Sequence, residues 1–364
     1  MNEISRAVKD AVILIPSLEP DERLPAYIRE LEQSGFGKIV VVDDGSGEKF
    51  QPIFDLVREI PRTTVLTHEK NQGKGVALKT GYKYIQTLED AITGVITADS
   101  DGQHTVADCI RLAEMLGENN QALYLGSRDF NLPDIPPKSR SGNRITSTVF
   151  RALYGQWLPD TQTGLRAFRR EELPFMINVE GERYEYEMKV LIACSRAHIP
   201  MIPVTIETIY ENGKNEGTHF HPIKDSWRIY KVILGSFFKF MSSSLICTLI
   251  DQGLFNMLNL VVFSNGAAKD GSIILISTII ARVISSCTNF LLNWKYVFGQ
   301  SKQPKRAFVR YVILSICIML GSWAGTWLLG KTGMSSTLAK LITDTLLYLV
   351  SFKMQQIWVF REDA

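Results

Sequence analysis

The stretch Gly94-Val-Ile-Thr-Ala-Asp-Ser-Asp-Gly-Gln-His104 decides the fold. Gly94 to Ala98 is a short, continuous apolar run, the pattern of a strand buried on both faces of a parallel sheet. It breaks directly into two carboxylates, Asp99 and Asp101. The same pattern recurs upstream. Ala11-Val-Ile-Leu-Ile-Pro16 and Lys38-Ile-Val-Val-Val-Asp-Asp44 read as strands, as does Thr64 to Thr67. Helix-like stretches separate them at Glu22 to Ser34, Phe50 to Glu59 and Lys74 to Leu88. Repeated βα units of this length predict an α/β domain, a mainly parallel sheet with helices on both faces. Ligands of such sheets bind outside the carboxyl ends of the strands, so polar residues at those ends are the candidates.

Three strand ends carry such residues. Asp99-Ser-Asp101 offers one hard divalent cation two oxygen ligands, which suits Mg²⁺ or Mn²⁺ shared with substrate phosphates, and Gln103 or His104 can complete the shell. The competing reading is an Asx turn that starts a helix at Thr105. Asp43-Asp44-Gly45-Ser46 either meets a base edge or ribose hydroxyls, or simply begins a turn, as Asp-Gly often does. Asn71-Gln-Gly-Lys-Gly75 opens a helix, with glycines that allow close approach and Lys74 placed to meet a diphosphate. It lacks the spacing and the Lys-Ser/Thr pair of a Walker motif and, by itself, reads equally as a loop.

Charge divides the 364 residues near position 230. From Ile233 onward, 12 Lys/Arg face 5 Asp/Glu; before it, 28 face 33. A mildly acidic segment of soluble character thus precedes an apolar, basic-flanked one. The opening residues are polar and Ala11 to Pro16 is too short for a secretory apolar region, so no signal peptide is expected. The five cysteines (Cys109, Cys194, Cys247, Cys287 and Cys317) have no metal-like spacing. Disulfides are not expected, and a reducing cytoplasm suits the first domain.

Taken in order, Ile13-Leu-Ile-Pro-Ser17, Val42-Asp-Asp-Gly-Ser46, Asn71-Gln-Gly-Lys-Gly75, Ala98-Asp-Ser-Asp-Gly-Gln-His104, Gly126-Ser-Arg128, Gly142-Asn143 and Asp160-Thr-Gln-Thr-Gly-Leu-Arg166 resemble the family 2 glycosyltransferases of the GT-A fold. Within that family the likeness is to dolichyl- or polyprenyl-phosphate mannose, glucose and N-acetylhexosamine synthases. Glu19-Pro20 departs from it, standing where many members have Asn-Glu. The resemblance implies that Pro16, Ser17, Glu19 and Asp43 lie at the nucleoside, with Lys74, Asp99, Ser100 and Asp101 at the ribose and diphosphate. It gives Asp99, Asp101 and Gln103 to the metal, and Arg128 with Arg140 or Arg144 to the acceptor phosphate. Asp99, Asp101 and Arg128 become the catalytic set of a metal-dependent, inverting hexosyltransferase. Its partners would be a nucleotide sugar, a polyprenyl phosphate and a lipid bilayer, with no nucleic acid; the oligomeric state stays open. A phosphate acceptor is already anionic and needs a cationic cradle more than a strong general base. Glu185 or Glu187 in Arg183-Tyr-Glu-Tyr-Glu-Met188 can contact the donor sugar, or simply be an acidic helix start.

Domain bounds of 1–218, 219–233 and 234–364 follow from these patterns. His219 and His221 sit in a polar loop with too few neighbouring ligands for a metal pair. Trp227, Ile229, Tyr230 and Ile233 interleave with Lys224, Arg228 and Lys231, as in an interfacial helix. An all-α membrane domain is expected next, with four transmembrane helices at about 234–263, 272–298, 308–330 and 335–360, each near the roughly 20 residues a bilayer requires. Lys295, Lys302, Lys305, Arg306 and Arg310 cluster between the second and third spans. The positive-inside rule then puts that connection, both termini and the first domain in the cytoplasm, beneath the cell membrane.

An internal repeat, offset by 62, relates Thr288–Phe298 to Val350–Phe360, which suggests two related helical hairpins. This half resembles the GtrA family of small four-span proteins, associated with moving or presenting lipid-linked sugars. Asp251, Arg282, Lys340 and Asp344 fall within or near the spans, where charges are costly unless paired or functional. Pairing of Arg282 with an aspartate is favoured, with Lys340 free to snorkel. Two other functions compete. One is a lipid-sugar flippase with a regulatory first domain, against which the intact Lys74, Asp99 and Asp101 argue. The other is a processive polysaccharide synthase, for which the chain lacks a Gln-x-x-Arg-Trp element.

Overall fold

The computed structural model describes residues 5–89, 91–117, 121–132, 135, 137–207, 227, 230–258, 271–298 and 303–360. The chain forms two compact units, Met1–Ile233 and Leu234–Ala364.

The first unit begins with a short helix α1 (Arg6–Lys9), then β1 (Ala11–Ser17), α2 (Arg23–Gln33), β2 (Lys38–Asp43), α3 (Gln51–Arg58) and β3 (Thr63–Thr67). Helix α4 (Lys74–Gln86), β4 (Gly94–Thr97), α5 (Val106–Gly117), β5 (Leu123–Arg128) and α6 (Pro137–Tyr154) follow. Strand β6 (Arg166–Arg169), α7 (Leu173–Asn178), α8 (Glu185–Ala197) and β7 (Met201–Ile206) complete the unit.

The seven strands are ordered β3-β2-β1-β4-β6-β5-β7. Successive side chains of a strand point to opposite faces. Ile13, Ile15, Ile39 and Val41 therefore join one buried core with α2, α3 and α5. Val12, Leu14, Val40 and Val42 join a second, with α4, α7 and α8. This sandwich is why the strands read as unbroken apolar runs.

The sheet is mixed. β1 pairs in parallel with β2 and β4, β2 with β3, and β5 with β7. β6 runs antiparallel between β4 and β5. The Asp160-Thr-Gln-Thr-Gly-Leu-Arg166 motif is the approach to this strand. The antiparallel insertion brings that loop back across the carboxyl end of β4. Register also aligns Ser17 with Asp43 and Asp43 with Thr67, so the polar strand ends share one edge. At the far end of the unit, Ile233 is fully buried and Tyr154 Oη donates to its carbonyl at 2.9 Å. Residues 219–226, with His219 and His221, lie outside the described residues, as do Arg228 and Ile229 of the expected interfacial helix.

The second unit contains helices Gly235–Met257, Gly271–Leu292, Pro304–Gly330 and Ser336–Met354. Among the described residues, two segments are long and apolar enough to cross a membrane, Ile276–Val297 and Pro304–Gly330. The other two helices, where four spans had been expected, do not meet that standard. The second and fourth helices end in π-turns, Asn293–Val297 and Gln355–Val359, separated by the repeat offset.

The two equivalent positions meet: Asn293 Nδ2 donates to Gln355 Oε1 at 3.0 Å. Phe298 stacks on its equivalent Phe360 with centroids 5.2 Å apart. Ser243 Oγ donates to Asn293 Oδ1 at 2.6 Å, satisfying an amide that would be costly to bury alone. Arg282 finds its aspartate in Asp251, 3.5 Å away. Lys340, expected to snorkel, pairs with Asp344 at 3.0 Å.

Candidate active site

The carboxyl ends of β1, β2 and β4 and the starts of α4 and α8 supply the charged groups. Gly73 takes φ +104°, a conformation glycine adopts without a Cβ penalty, and α4 begins at the next residue. A Cβ on Gly75 would sit 2.6 Å from Tyr186 Cβ, and one on Gly73 2.5 Å from Glu182 O. The Gly-Lys-Gly sequence therefore lets α4 press against the start of α8. That contact delivers Lys74. Its Nζ lies 2.7 Å from Asp99 Oδ1 and 3.0 Å from Glu187 Oε1.

Burial works against the Lys74 charge, but Asp99 and Glu187 outweigh it and hold the ammonium well above its ordinary pKa. Burial alone would raise the Asp99 carboxyl; Lys74 and a hydrogen bond from His104 (Nε2 to Oδ2, 3.3 Å) hold it well below the usual range. The reverse holds for Asp101. Burial and the Asp99 charge raise its carboxyl, against a hydrogen bond from the Gln103 N–H at 3.1 Å and the charges of His104 and Lys74. Gln103 thus enters this cluster through its backbone. His104 Nδ1 is buried without a hydrogen-bond partner. Among the described residues, no three His, Cys, Asp or Glu converge as a ready-made metal cage.

Of the Asp43-Asp44 pair, both members close turns. Asp43 accepts from Ser46 N at 2.9 Å and Gln51 Nε2 at 3.2 Å, and is fully buried. Asp44, a candidate from sequence only as half of the pair, accepts from Gln72 N (2.9 Å) and Gly73 N (2.7 Å), and lies 2.7 Å from His68 Nδ1. It fixes the loop that aims Lys74. Asp44→Ala leaves those donors unsatisfied and is expected to cost about 3 kcal/mol, measured as a lower melting temperature; an unchanged melt would refute the assignment. Ser17 is buried, and its hydroxyl has no protein partner. Glu19 adopts φ +50° and is tied by its backbone, Glu19 N donating to Ser46 Oγ at 2.8 Å.

The second charged centre is at the end of β5. Arg128 forks onto Asp160, Nε to Oδ2 at 2.7 Å and Nη2 to Oδ1 at 3.3 Å. Arg140 donates to Leu132 O at 2.7 Å, whereas Arg144 is exposed on α6. The loop Asp160–Gly164 joins the two centres. Its first residue holds Arg128, and a Cβ on its last would lie 2.6 Å from the Asp99 carboxyl carbon. Between Glu185 and Glu187, Glu187 is the one at the site. Glu185 instead accepts from the N–H groups of Glu182 and Arg183.

Residues 13–174 match the family model for glycosyl transferase family 2, and residues 239–360 match that for the GtrA/DPMS transmembrane domain. An uncharacterized protein of Methanocaldococcus jannaschii is 30% identical over 224 residues, 60% of this chain and 90% of that protein. This chain belongs to glycosyl transferase family 2. The UDP-N-acetylglucosamine–dolichyl-phosphate N-acetylglucosaminyltransferase of Methanococcus voltae is 26% identical to this glycosyltransferase, over 54% of the chain and 85% of that enzyme. The crystal structure of glucosyl-3-phosphoglycerate synthase from Mycobacterium tuberculosis overlaps 63% of the chain and 80% of that protein, at 14% identity and a TM-score of 0.46. The chain is a glycosyltransferase with a membrane domain.

Within this glycosyltransferase, the structure brings Lys74, Asp99 and Asp101 together at one strand edge, and adds Asp44, Glu187 and Gly164 to them. All four of Asp99, Arg128, Asp160 and Gly164 stand in motifs legible from sequence, but the pairings of Asp160 with Arg128 and of Gly164 with Asp99 are not, because nothing local links them.

Proposed function

We propose that this glycosyltransferase moves a hexose or N-acetylhexosamine from a UDP- or GDP-sugar onto a polyprenyl phosphate, with inversion at the sugar carbon. One observation carries the reading: the Asp160–Gly164 loop joins an acidic cluster with one ammonium to an arginine, Arg128, at the end of a strand. The first suits a metal-bound diphosphate; the second suits an acceptor phosphate. Relatives named for dolichyl-phosphate and polyprenol-phosphate transfer support the choice of acceptor.

Asp99 and Asp101 would hold Mg²⁺ or Mn²⁺, two hard oxygen donors being what these ions take alongside phosphates. Burial and then the Asp99 charge raise Asp101, and a cation between the two carboxylates relieves the second of these. The ion, when bound, neutralises charge on the departing diphosphate. Lys74 adds a cation to the same group, from a position fixed by Gly73 and Gly75. Ser17, Glu19 and Ser100 line the donor side with Pro16, and Asp43 shapes it through its turn. Arg128, held rigid by Asp160, places the acceptor oxygen in line with the sugar carbon. Arg140 or Arg144 is a second contact for that phosphate. The phosphate is already ionised, so no side chain has to remove a proton.

In this reading residues 1–218 form the catalytic domain, 219–233 an interfacial link and 234–364 a four-span membrane domain. Lys295, Lys305, Arg306 and Arg310 support a cytoplasmic placement of the second connection and, with it, of the catalytic domain. Asp160→Asn keeps the shape but weakens the fork, and is expected to raise the KM for polyprenyl phosphate about tenfold while the donor KM stays constant. A donor effect of equal size would remove the acceptor role of Arg128. The reaction itself is tested with detergent-solubilised protein, Mn²⁺, undecaprenyl phosphate and a panel of radiolabelled nucleotide sugars. Label entering the lipid phase from one donor, and lost on chelation, is expected. No transfer from any donor would reject the proposal.

A further inference from the structure

Lys74 has two carboxylate partners, and they are held in different ways. Glu187 is fixed by its surroundings. Arg166 Nη1 donates to its carbonyl at 2.8 Å, and its neighbour Tyr186 is buried against Gly75. Asp99, in contrast, has two demands on it. Its Oδ1 takes the Lys74 ammonium at 2.7 Å, yet the metal reading above makes it a ligand of the donor's divalent cation. A divalent cation brought onto the same carboxylate repels the ammonium beside it, so Lys74 loosens from Asp99 as the cation arrives.

We propose that Glu187 is a positioning residue that retains the Lys74 ammonium in the site while the cation takes Asp99. Lys74 thereby changes from a plug on a metal-binding carboxylate into a clamp on the donor diphosphate. The inference rests on the metal reading of Asp99 and Asp101. Charge supports it: Asp99, Asp101 and Glu187 exceed the single Lys74 ammonium by two negative charges, which one divalent cation balances. Without Glu187, the ammonium has only Asp99 to bind and competes harder for it.

The test is Mn²⁺ binding to the full-length protein in detergent, without donor or acceptor, read from the paramagnetic resonance signal of free Mn²⁺. Glu187→Gln is expected to weaken binding about tenfold when Lys74 is present. In the Lys74→Met background the same change is expected to shift the affinity by less than about twofold, since the competitor is gone. Equal losses in both backgrounds would overturn the proposal, because Glu187 would then act on the cation directly. Repeating the cycle with Glu187→Asp, which shortens the arm and keeps the charge, covers a Gln variant that does not fold. A smaller, Lys74-dependent loss is expected there, and a Lys74-independent one overturns the proposal equally. If the unmodified protein binds no Mn²⁺, or binding survives Asp101→Asn, the metal reading itself falls and this inference with it.

Discussion

Asp101→Asn is expected to reduce sugar transfer by about a thousandfold while leaving the protein at least as stable. Changing outer-shell partners of a metal commonly costs 10–100-fold, so loss of a direct ligand should cost more, on the order of 10³. The stability half of the prediction follows from the site. The one hydrogen bond described for the Asp101 carboxylate comes from the Gln103 N–H, which an asparagine oxygen can also accept. Burial and the Asp99 charge raise its carboxyl, so ionised Asp101 is disfavoured by the fold in the absence of metal. A neutral amide removes that penalty. In metal-free buffer the melting temperature should therefore hold or rise as activity collapses. Activity within tenfold of the parent would take Asp101 out of the metal site. A clear drop in melting temperature would recast it as a structural residue.

Gly164→Ala should lower the turnover number by about a hundredfold, the scale on which a misplacement of roughly 1 Å acts. The added Cβ would come within 2.6 Å of Asp99 Cγ and Oδ1, and closer still to Oδ2. Real Cβ atoms do not approach so near. Either the loop or the carboxylate must yield, and the loop is anchored: Thr97, buried at the end of β4, donates to Gly164 O at 2.7 Å. Asp99 is the group that moves. It would then lose its alignment with Lys74 and with Asp101. The turnover number at saturating donor, measured beside Mn²⁺ affinity, checks this. Normal values for both would show that the loop absorbs the methyl and that Gly164 does not shape the site.

The two variants probe different parts of what could be read from sequence. Asp101 was visible at once, because a β-branched apolar run ending in Asp-x-Asp is a local pattern. Gly164 was visible only as a letter in a motif, since the reason for its lack of a side chain is a carboxylate just past the end of another strand. The Asp43-Asp44 pair shows the same limit. Its turn chemistry was legible, but which backbone donors the second carboxylate serves depends on a loop that follows β3. Glu185 and Glu187 were indistinguishable as an acidic helix start. Helical rotation separates them, and only the closeness of α4 to α8 puts Glu187 on Lys74.

The membrane half repeats the lesson. An offset of 62 residues was plain in the sequence, whereas the hydrogen bond between the equivalent Asn293 and Gln355 was not. The sequence by itself determined the alternation of strands and helices, the change in charge and apolarity near residue 230, and the acidic strand end. These depend on periodicity and on nearest neighbours, which composition records directly. Only the tertiary structure decided the antiparallel course of β6, the pairing of Arg128 with Asp160, and the sharing of Lys74 between Asp99 and Glu187. Each joins residues from separate elements, and burial makes the partner of a charge a question of three-dimensional proximity, which no local pattern encodes.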